Sequence, residues 1–252
     1  MLNTRVIPVL LLKNKGLYKG IEFKNHSYVG DPINTIKLFN DKEVDELVIF
    51  DIDASKENKE IDFEILEEIV TEAFMPVAYG GGIKSVDDAK KVFSLGIEKV
   101  ILNTFAVNNN QLVKDLVSIY GSQSILFSLD YKKGMFGYNT YIKSGSEKLK
   151  YSIKELAILM QDLGVGEIIL NSIDNDGKMN GYDFKILNEI KGHLTIPIII
   201  SGGAKSIEDF RLAKDSGADA CAAGSMFVYH GPHRAVIISY PSYNKLREVL
   251  GE

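Results

Sequence analysis

The sequence is short of most features that would mark a secreted, membrane-bound or nucleic-acid-binding protein. It has one cysteine, Cys221, so no intrachain disulfide can form, and that usage fits a reducing compartment. No apolar run approaches the roughly 18 residues that a membrane span requires. The opening Met1-Leu2-Asn3-Thr4-Arg5 leads straight into an apolar stretch, without the basic, apolar and small-residue succession of a signal peptide. With 29 Lys and Arg against 34 Asp and Glu, the formal net charge of −5 argues against a broad nucleic-acid surface. It leaves room for a local positive pocket. These absences predict a soluble, cytoplasmic protein with neither a nucleic acid nor a membrane as partner.

The 252 residues are 45% hydrophobic and 25% charged, an ordinary globular composition, and no low-complexity linker divides them. One domain over residues 1–252 is the expectation. Short apolar runs alternate with longer amphipathic ones. Arg5–Leu12, Glu46–Asp53, Pro76–Gly80, Lys99–Asn103, Ser124–Asp130, Glu167–Ser172, Pro197–Ser201 and Ala220–Gly224 are rich in Val, Ile and Leu, as strands buried on both faces should be. Helical patterns fill the gaps, among them Ile61–Glu72, Ser85–Leu95, Ser152–Leu163, Ser206–Ser216 and Tyr243–Leu250. Ser85 and Ser206 are placed as N-caps, and Gly96 and Gly217 as left-handed C-terminal caps. Leu17–Pro32, Tyr131–Lys150 and Phe227–Pro241 read as the least regular stretches; all three follow strand C-termini.

An internal repeat chooses between a closed barrel and an open doubly wound sheet. Glu46 and Glu167, Asp53 and Asp174, Pro76 and Pro197, Gly82 and Gly203, Lys84 and Lys205, Gly96 and Gly217, and Thr104 and Ser225 are each separated by 121 residues. A constant, gap-free offset near half the chain length describes two half-barrels of four strands. The predicted fold is therefore an α/β (β/α)₈ TIM barrel.

The repeat also duplicates a chemical feature. Gly80-Gly81-Gly82 ends the third strand and Ser201-Gly202-Gly203 the seventh, where glycine lets backbone N–H groups approach an anion. Asn103-Thr104 and Gly224-Ser225 add donors after the fourth and eighth strands. Two such sites across one mouth suit an elongated ligand with a phosphate at each end. The structural alternative is that these glycines only make tight turns.

Several segments together resemble the cyclase subunit of imidazole glycerol phosphate synthase. They include Arg5-Val6-Ile7-Pro8, Lys19-Gly20, Gly30-Asp31-Pro32, Asp45-Glu46-Leu47, Gly80–Ile83, Ser172-Ile173-Asp174, Asp176-Gly177, Gly181-Tyr182-Asp183 and Ser201–Ala204. The likeness runs from Arg5 to about Ser225. It implies a barrel that receives ammonia from a glutaminase partner, as a heterodimer, and closes a ring on a nucleotide carrying two phosphates. No cofactor and no metal are implied. It places Lys19, Asp51, Gly82, Asn103, Thr104, Asp176, Gly177, Gly203, Gly224 and Ser225 as ligand and phosphate contacts. It also makes Arg5, Glu46, Lys99 and Glu167 a gate at the closed end of the barrel. Charges that begin buried strands must pair, so a purely structural plug is the other reading of those four.

The sequence departs from that family at two places. Asp130 matches the catalytic aspartate of the fifth strand, but Leu11 stands where the first strand should carry its partner. Losing one acid/base group typically costs about 10²–10⁴-fold in rate. Rescue by Asp51, Asp53 or Asp176 is the open alternative. The second departure is Tyr229-His230-Gly231-Pro232-His233-Arg234-Ala235-Val236, which resembles a paralogous branch found with surface-polysaccharide genes. That likeness implies ammonia delivery to an ATP-dependent sugar amidotransferase that builds an acetamidino group. His230, His233 and Arg234 then bind phosphate, form a docking surface, or merely make a solvated turn. Two readings stand beside this one: an ordinary cyclase of histidine biosynthesis, and a non-catalytic scaffold that activates its glutaminase.

Overall fold

Strand sequences this apolar have to be covered on both faces, and the computed structural model, which describes residues 4–54, 57 and 59–252, shows how. The parallel strands are β1 (Arg5–Lys13), β2 (Leu47–Asp51), β3 (Val77–Gly80), β4 (Lys99–Leu102), β5 (Ile125–Gly134), β6 (Glu167–Ser172), β7 (Ile198–Ser201) and β8 (Ala220–Ala223). Each pairs in parallel with the next. The ring closes where Arg5 stands opposite Ala220 and Pro8 opposite Ala223. This is a (β/α)₈ barrel. Residues Met1–Asn3, at the head of the predicted N-terminal stretch, lie outside the described residues.

The helices α1 (Pro32–Asp41), α2 (Phe63–Glu72), α3 (Val86–Ser94), α4 (Asn110–Tyr120), α5 (Ile153–Asp162), α6 (Phe184–Ile190), α7 (Ile207–Asp215) and α8 (Tyr243–Leu250) follow the strands in order. Local chemistry fixes their ends. The Ser85 hydroxyl accepts the Asp88 N–H at 3.1 Å, and the Asp209 carboxylate accepts the N–H groups of Lys205 and Ser206 at 2.7 and 3.2 Å. Gly96 and Gly217 reverse the chain at φ +105° and +91°, where a side chain would be strained.

Alternation along β1 sorts its side chains between two cores. Val6, Leu10 and Leu12 pack outward under the helices, whereas Ile7 and Val9 belong to the interior cluster with Val48, Ala78, Ile101, Leu126, Ile169, Ile199, Ala220 and Ala222. Leu11 continues the inward set and packs on that cluster together with Phe50. Arg5, Ile7, Val9 and Leu11 thus share one face, running from the closed end to the open end.

The three stretches expected to be irregular hold ordered structure. Leu17–Pro32 contains most of an antiparallel hairpin, Gly16–Ile21 with Lys24–Gly30, paired onto β1. In Tyr131–Lys150, β5 runs on to Gly134 and pairs with Gly137–Ile142, which pairs in turn with Glu147–Lys148. In Phe227–Pro241, Tyr229–His230 and Ala235–Val236 form a short ribbon. The turns carry no Asn-Gly signal. Asn14-Lys15 and Glu22-Phe23 adopt left-handed φ between +46° and +61° without a glycine, so composition did not advertise them.

Candidate functional site

At the closed end, the strand starts bring four charges together. Arg5 sits 2.5 Å from Glu46 and 2.5 Å from Glu167, and Lys99 lies 2.9 Å and 2.8 Å from the same two carboxylates. Every member contacts both members of opposite sign, so the ring is closed and neutral. Burial alone would raise the Glu167 carboxyl, but hydrogen bonds and charge from Arg5 and Lys99 hold it below its ordinary value. Those carboxylates in turn raise Arg5 against its own burial. The repeat supplies only half of this arrangement. Glu46 and Glu167 are equivalent, whereas the positions 121 residues beyond Arg5 and Lys99 are Leu126 and Ala220.

At the open end, the strand C-termini and their loops line one mouth. Its walls include Leu11, Lys19, Asp51, Gly82, Asn103, Thr104, Asp130, Asp176, Gly177, Gly203, Gly224 and Ser225. All the residues expected as ligand contacts are therefore brought together, with Asp130 among them. Thr104 and Ser225 begin the short helices Thr104–Asn108 and Ser225–Val228, at equivalent points of the two halves.

Asp130 is the most strongly tuned acid in the mouth. Burial pushes its carboxyl up to about 7, against hydrogen bonds from Ser128 and Asn171, with the Asp176 charge adding to the rise. Ser128 Oγ and Asn171 Nδ2 donate to one oxygen at 2.9 and 3.1 Å, and Asn103 Nδ2 to the other at 3.3 Å. A carboxyl so placed can give or take a proton near neutral pH. Because folding raises this value, the folded chain holds a proton that the unfolded chain releases between pH 3.8 and about 7. Asp130 therefore lowers stability as pH rises through that window, by at most about 1.4 kcal/mol per pH unit. Asp130→Asn should flatten the difference in urea-unfolding free energy measured at pH 5 and pH 7. An unchanged slope would show that Asp130 does not titrate there.

Lys19 stands across the mouth. Burial lowers its ammonium to about 8 while the Asp176 charge opposes the fall. Its Nζ donates to the Val9 carbonyl at 2.5 Å and lies close against Gly224, where a Cβ would collide with it. Burial raises the carboxyl of Asp176 despite Lys19 and an N–H from Phe23.

Leu11 lines this mouth, and of the expected substitute carboxylates Asp51 and Asp176 line it too. The strand neighbours of Leu11 are Phe50 on β2 and Tyr18 in the hairpin. Asp51 is one residue past Phe50, out of phase with the inward set. Its Oδ1 accepts the N–H groups of Asp53 and Ala54, both at 3.1 Å, and burial raises its carboxyl. Asp53 is not part of the lining. It faces Lys13 at 3.3 Å and Lys59 at 3.8 Å.

The residues of the branch motif are split by the structure. His230 and His233 are exposed and stand outside the lining; only Arg234 reaches the neighbourhood, donating to the Gly177 carbonyl at 3.0 Å. Among the wall residues not foreseen are Phe23, His26, Ser144 and Met179. Phe23 and His26 arrive on the hairpin after β1, and Ser144 on the one after β5. No sequence periodicity revealed those hairpins.

Barrel closure, duplicated glycine turns and a single charged mouth define the class: a (β/α)₈ barrel assembled from two similar halves. Residues 5–233 match the model of the Histidine biosynthesis protein family. The chain belongs to that family and, within it, to the cyclase subunits of imidazole glycerol phosphate synthase and their paralogues. It is 48% identical over 98% of its length to a protein of Pseudomonas aeruginosa, provisionally named imidazole glycerol phosphate synthase subunit hisF2, covering 99% of that relative. A provisionally named HisF subunit of Leptospira borgpetersenii is 44% identical over 96% of both chains. The imidazole glycerol phosphate synthase subunit HisF of Alkaliphilus metalliredigens is 37% identical over 91% of this chain and 92% of its own.

Proposed function

We propose that this chain is the ammonia-conducting barrel of a glutamine amidotransferase complex, working for amidine formation on a surface sugar rather than for imidazole ring closure. The observation that carries this reading is Leu11 on the mouth wall, at the position where the resemblance expects an aspartate, above a ring of four charges. A glutaminase docks on the closed end, over Arg5, Glu46, Lys99 and Glu167. Ammonia crosses the ring when one side chain swings aside and travels through the apolar interior to the open face. There an ATP-dependent sugar amidotransferase takes it up. The glycine turns with Lys19, Asn103, Thr104 and Ser225 hold a phosphorylated small molecule.

A second reading, a ring-closing cyclase of histidine synthesis, is favoured by the retained Asp130 and by the names that relatives carry. One measurement separates the two: the purified chain is given ammonium and the bis-phosphate nucleotide. The expected rate is lower than that of aspartate-bearing relatives by about 10²-fold or more. A comparable rate would sink the proposed role.

A further inference from the structure

The ribbon after β8 holds the one motif that neither the ring nor the mouth lining accounts for. Between its strands the chain turns through Gly231 at φ +71° and Arg234 at φ +51°. A left-handed backbone is unfavourable at arginine and persists where surrounding contacts over-determine it. Two such contacts are present. The guanidinium carbon lies 4.3 Å from the centre of the Tyr229 ring, and Nη1 donates to the Gly177 carbonyl at 3.0 Å. A planar guanidinium can stack with its face and donate with its edge at once; an ammonium cannot.

Gly177 is held from the other side too. Its φ is +73°, and a Cβ there would strike the Gly20 carbonyl of the hairpin after β1. The carbonyl just before it, of Asp176, accepts the Glu22 N–H at 3.1 Å. Because a trans peptide points its N–H opposite its C=O, anchoring the Asp176 oxygen in that hairpin aims the Gly177 N–H the other way. No backbone carbonyl among the described residues takes that N–H. Gly177 lines the mouth beside Asp176 and Lys19.

We infer that Arg234 is a positioning residue: it fixes the Gly177–Lys178 peptide through the Gly177 carbonyl, so that, with the Asp176–Gly177 peptide held by Glu22, both planes around Gly177 are set and its N–H faces an anionic group of the ligand in the mouth. This rests on the reading that the mouth takes a phosphorylated ligand. The ribbon clamps the β6–α6 turn from one side while the hairpin after β1 clamps it from the other, so the turn is set before ligand arrives. Preorganisation of this kind tightens binding by removing the ordering cost.

Inorganic phosphate titrated into the full-length, ¹⁵N-labelled chain tests this, with the amide signals of Gly177 and Gly82 followed separately. Gly82, in the other half of the mouth, is the internal reference. In the unaltered chain both signals should move. Arg234→Ala should weaken the response at Gly177 about tenfold and leave Gly82 within about twofold. Arg234→Lys should fail to restore it, and His233→Ala should behave as the unaltered chain. Unchanged affinity at Gly177 in Arg234→Ala would overturn the role of Arg234 and leave the phosphate reading standing. Equal losses at both glycines would mean that Arg234 supports the fold and positions nothing. Movement at neither glycine in the unaltered chain would overturn the phosphate reading and this inference with it.

Discussion

Leu11→Asp is expected to raise ammonium-dependent ring closure by about 10²–10⁴-fold over the unaltered chain. The inward set of β1 places residue 11 at the mouth, one step beyond Val9, and β1 lies four strands from β5 on either path around the barrel. A carboxyl introduced there looks across the cavity toward Asp130, itself held near neutrality by burial at about 7. Two carboxyl groups of unlike surroundings are what paired acid/base chemistry needs. The new group should be tolerated, because Leu11 is only partly buried and borders the cavity. Leu11→Asn, which adds polarity without a titratable proton, should gain little. Steady-state turnover with ammonium and the bis-phosphate nucleotide, alongside melting temperatures, decides the matter. A stable Leu11→Asp chain with no gain would show that ring closure is blocked elsewhere, and that residue 11 does not account for the changed role.

The second large effect is expected at the closed end. Glu167→Ala leaves Arg5 and Lys99 with Glu46 as their remaining carboxylate partner in the ring and turns a neutral ring into one of net charge +1. Removing one partner of a buried pair costs about 3–5 kcal/mol. Arg5 and Lys99 side chains retain 25% and 19% exposure, so solvent screens part of the loss and the low end applies. About 3 kcal/mol corresponds to roughly 6–12 °C in melting temperature for a chain of this size. In a complex with the proposed glutaminase, glutamine-dependent product should fall while glutamine hydrolysis continues. Glu167→Gln, of nearly equal shape, should recover more of the stability than of the coupling. Full coupling in a folded Glu167→Ala complex would reduce the ring to a structural plug.

Much of the barrel was legible because its signals are repetitive. Strands covered on both faces read as unbroken Val, Ile and Leu, and the 121-residue offset counted the halves before any coordinate did. Capping chemistry at Ser85 and Ser206 and the left-handed turns at Gly96 and Gly217 are local, so the sequence carries them. Strand ends were overrun at β2, extended to Asp53 although the ladder stops at Asp51, because Asp51 bends back to bind its own loop. The hairpins were not legible. Lys24–Gly30 pairs with Gly16–Ile21, which in turn pairs with β1, and its residues show no alternation. His26 was lost with them, since nothing in the order of residues says that this strand crosses the mouth. The ring was named as four charges, but its closure, each cation bridging both carboxylates, is a fact of side-chain geometry alone. For a related reason the sequence does not say which side chains of the His230–Arg234 turn stay in solvent. The chemistry of His230 and His233 suggests a site, while the ribbon turns them to solvent and sends Arg234 inward instead.

The apolar packing of the barrel interior has a consequence for what the two ends can exchange. Between Arg5 and Leu11 the inward side chains of β1 are hydrocarbon, and Ile101, Leu126, Ile169 and Ile199 complete the lining from other strands. Six residues at about 3.3 Å each make a layer on the order of 20 Å along the strand, before tilt is allowed for. Stripping water from an ion to enter such a layer costs several kcal/mol even after the surroundings relax. On the proposed route, such a layer would admit uncharged ammonia and turn back ammonium and hydronium. On that same proposed route, acid at the closed end would cut delivery to the open end without any residue having moved, simply by shrinking the uncharged fraction available to cross.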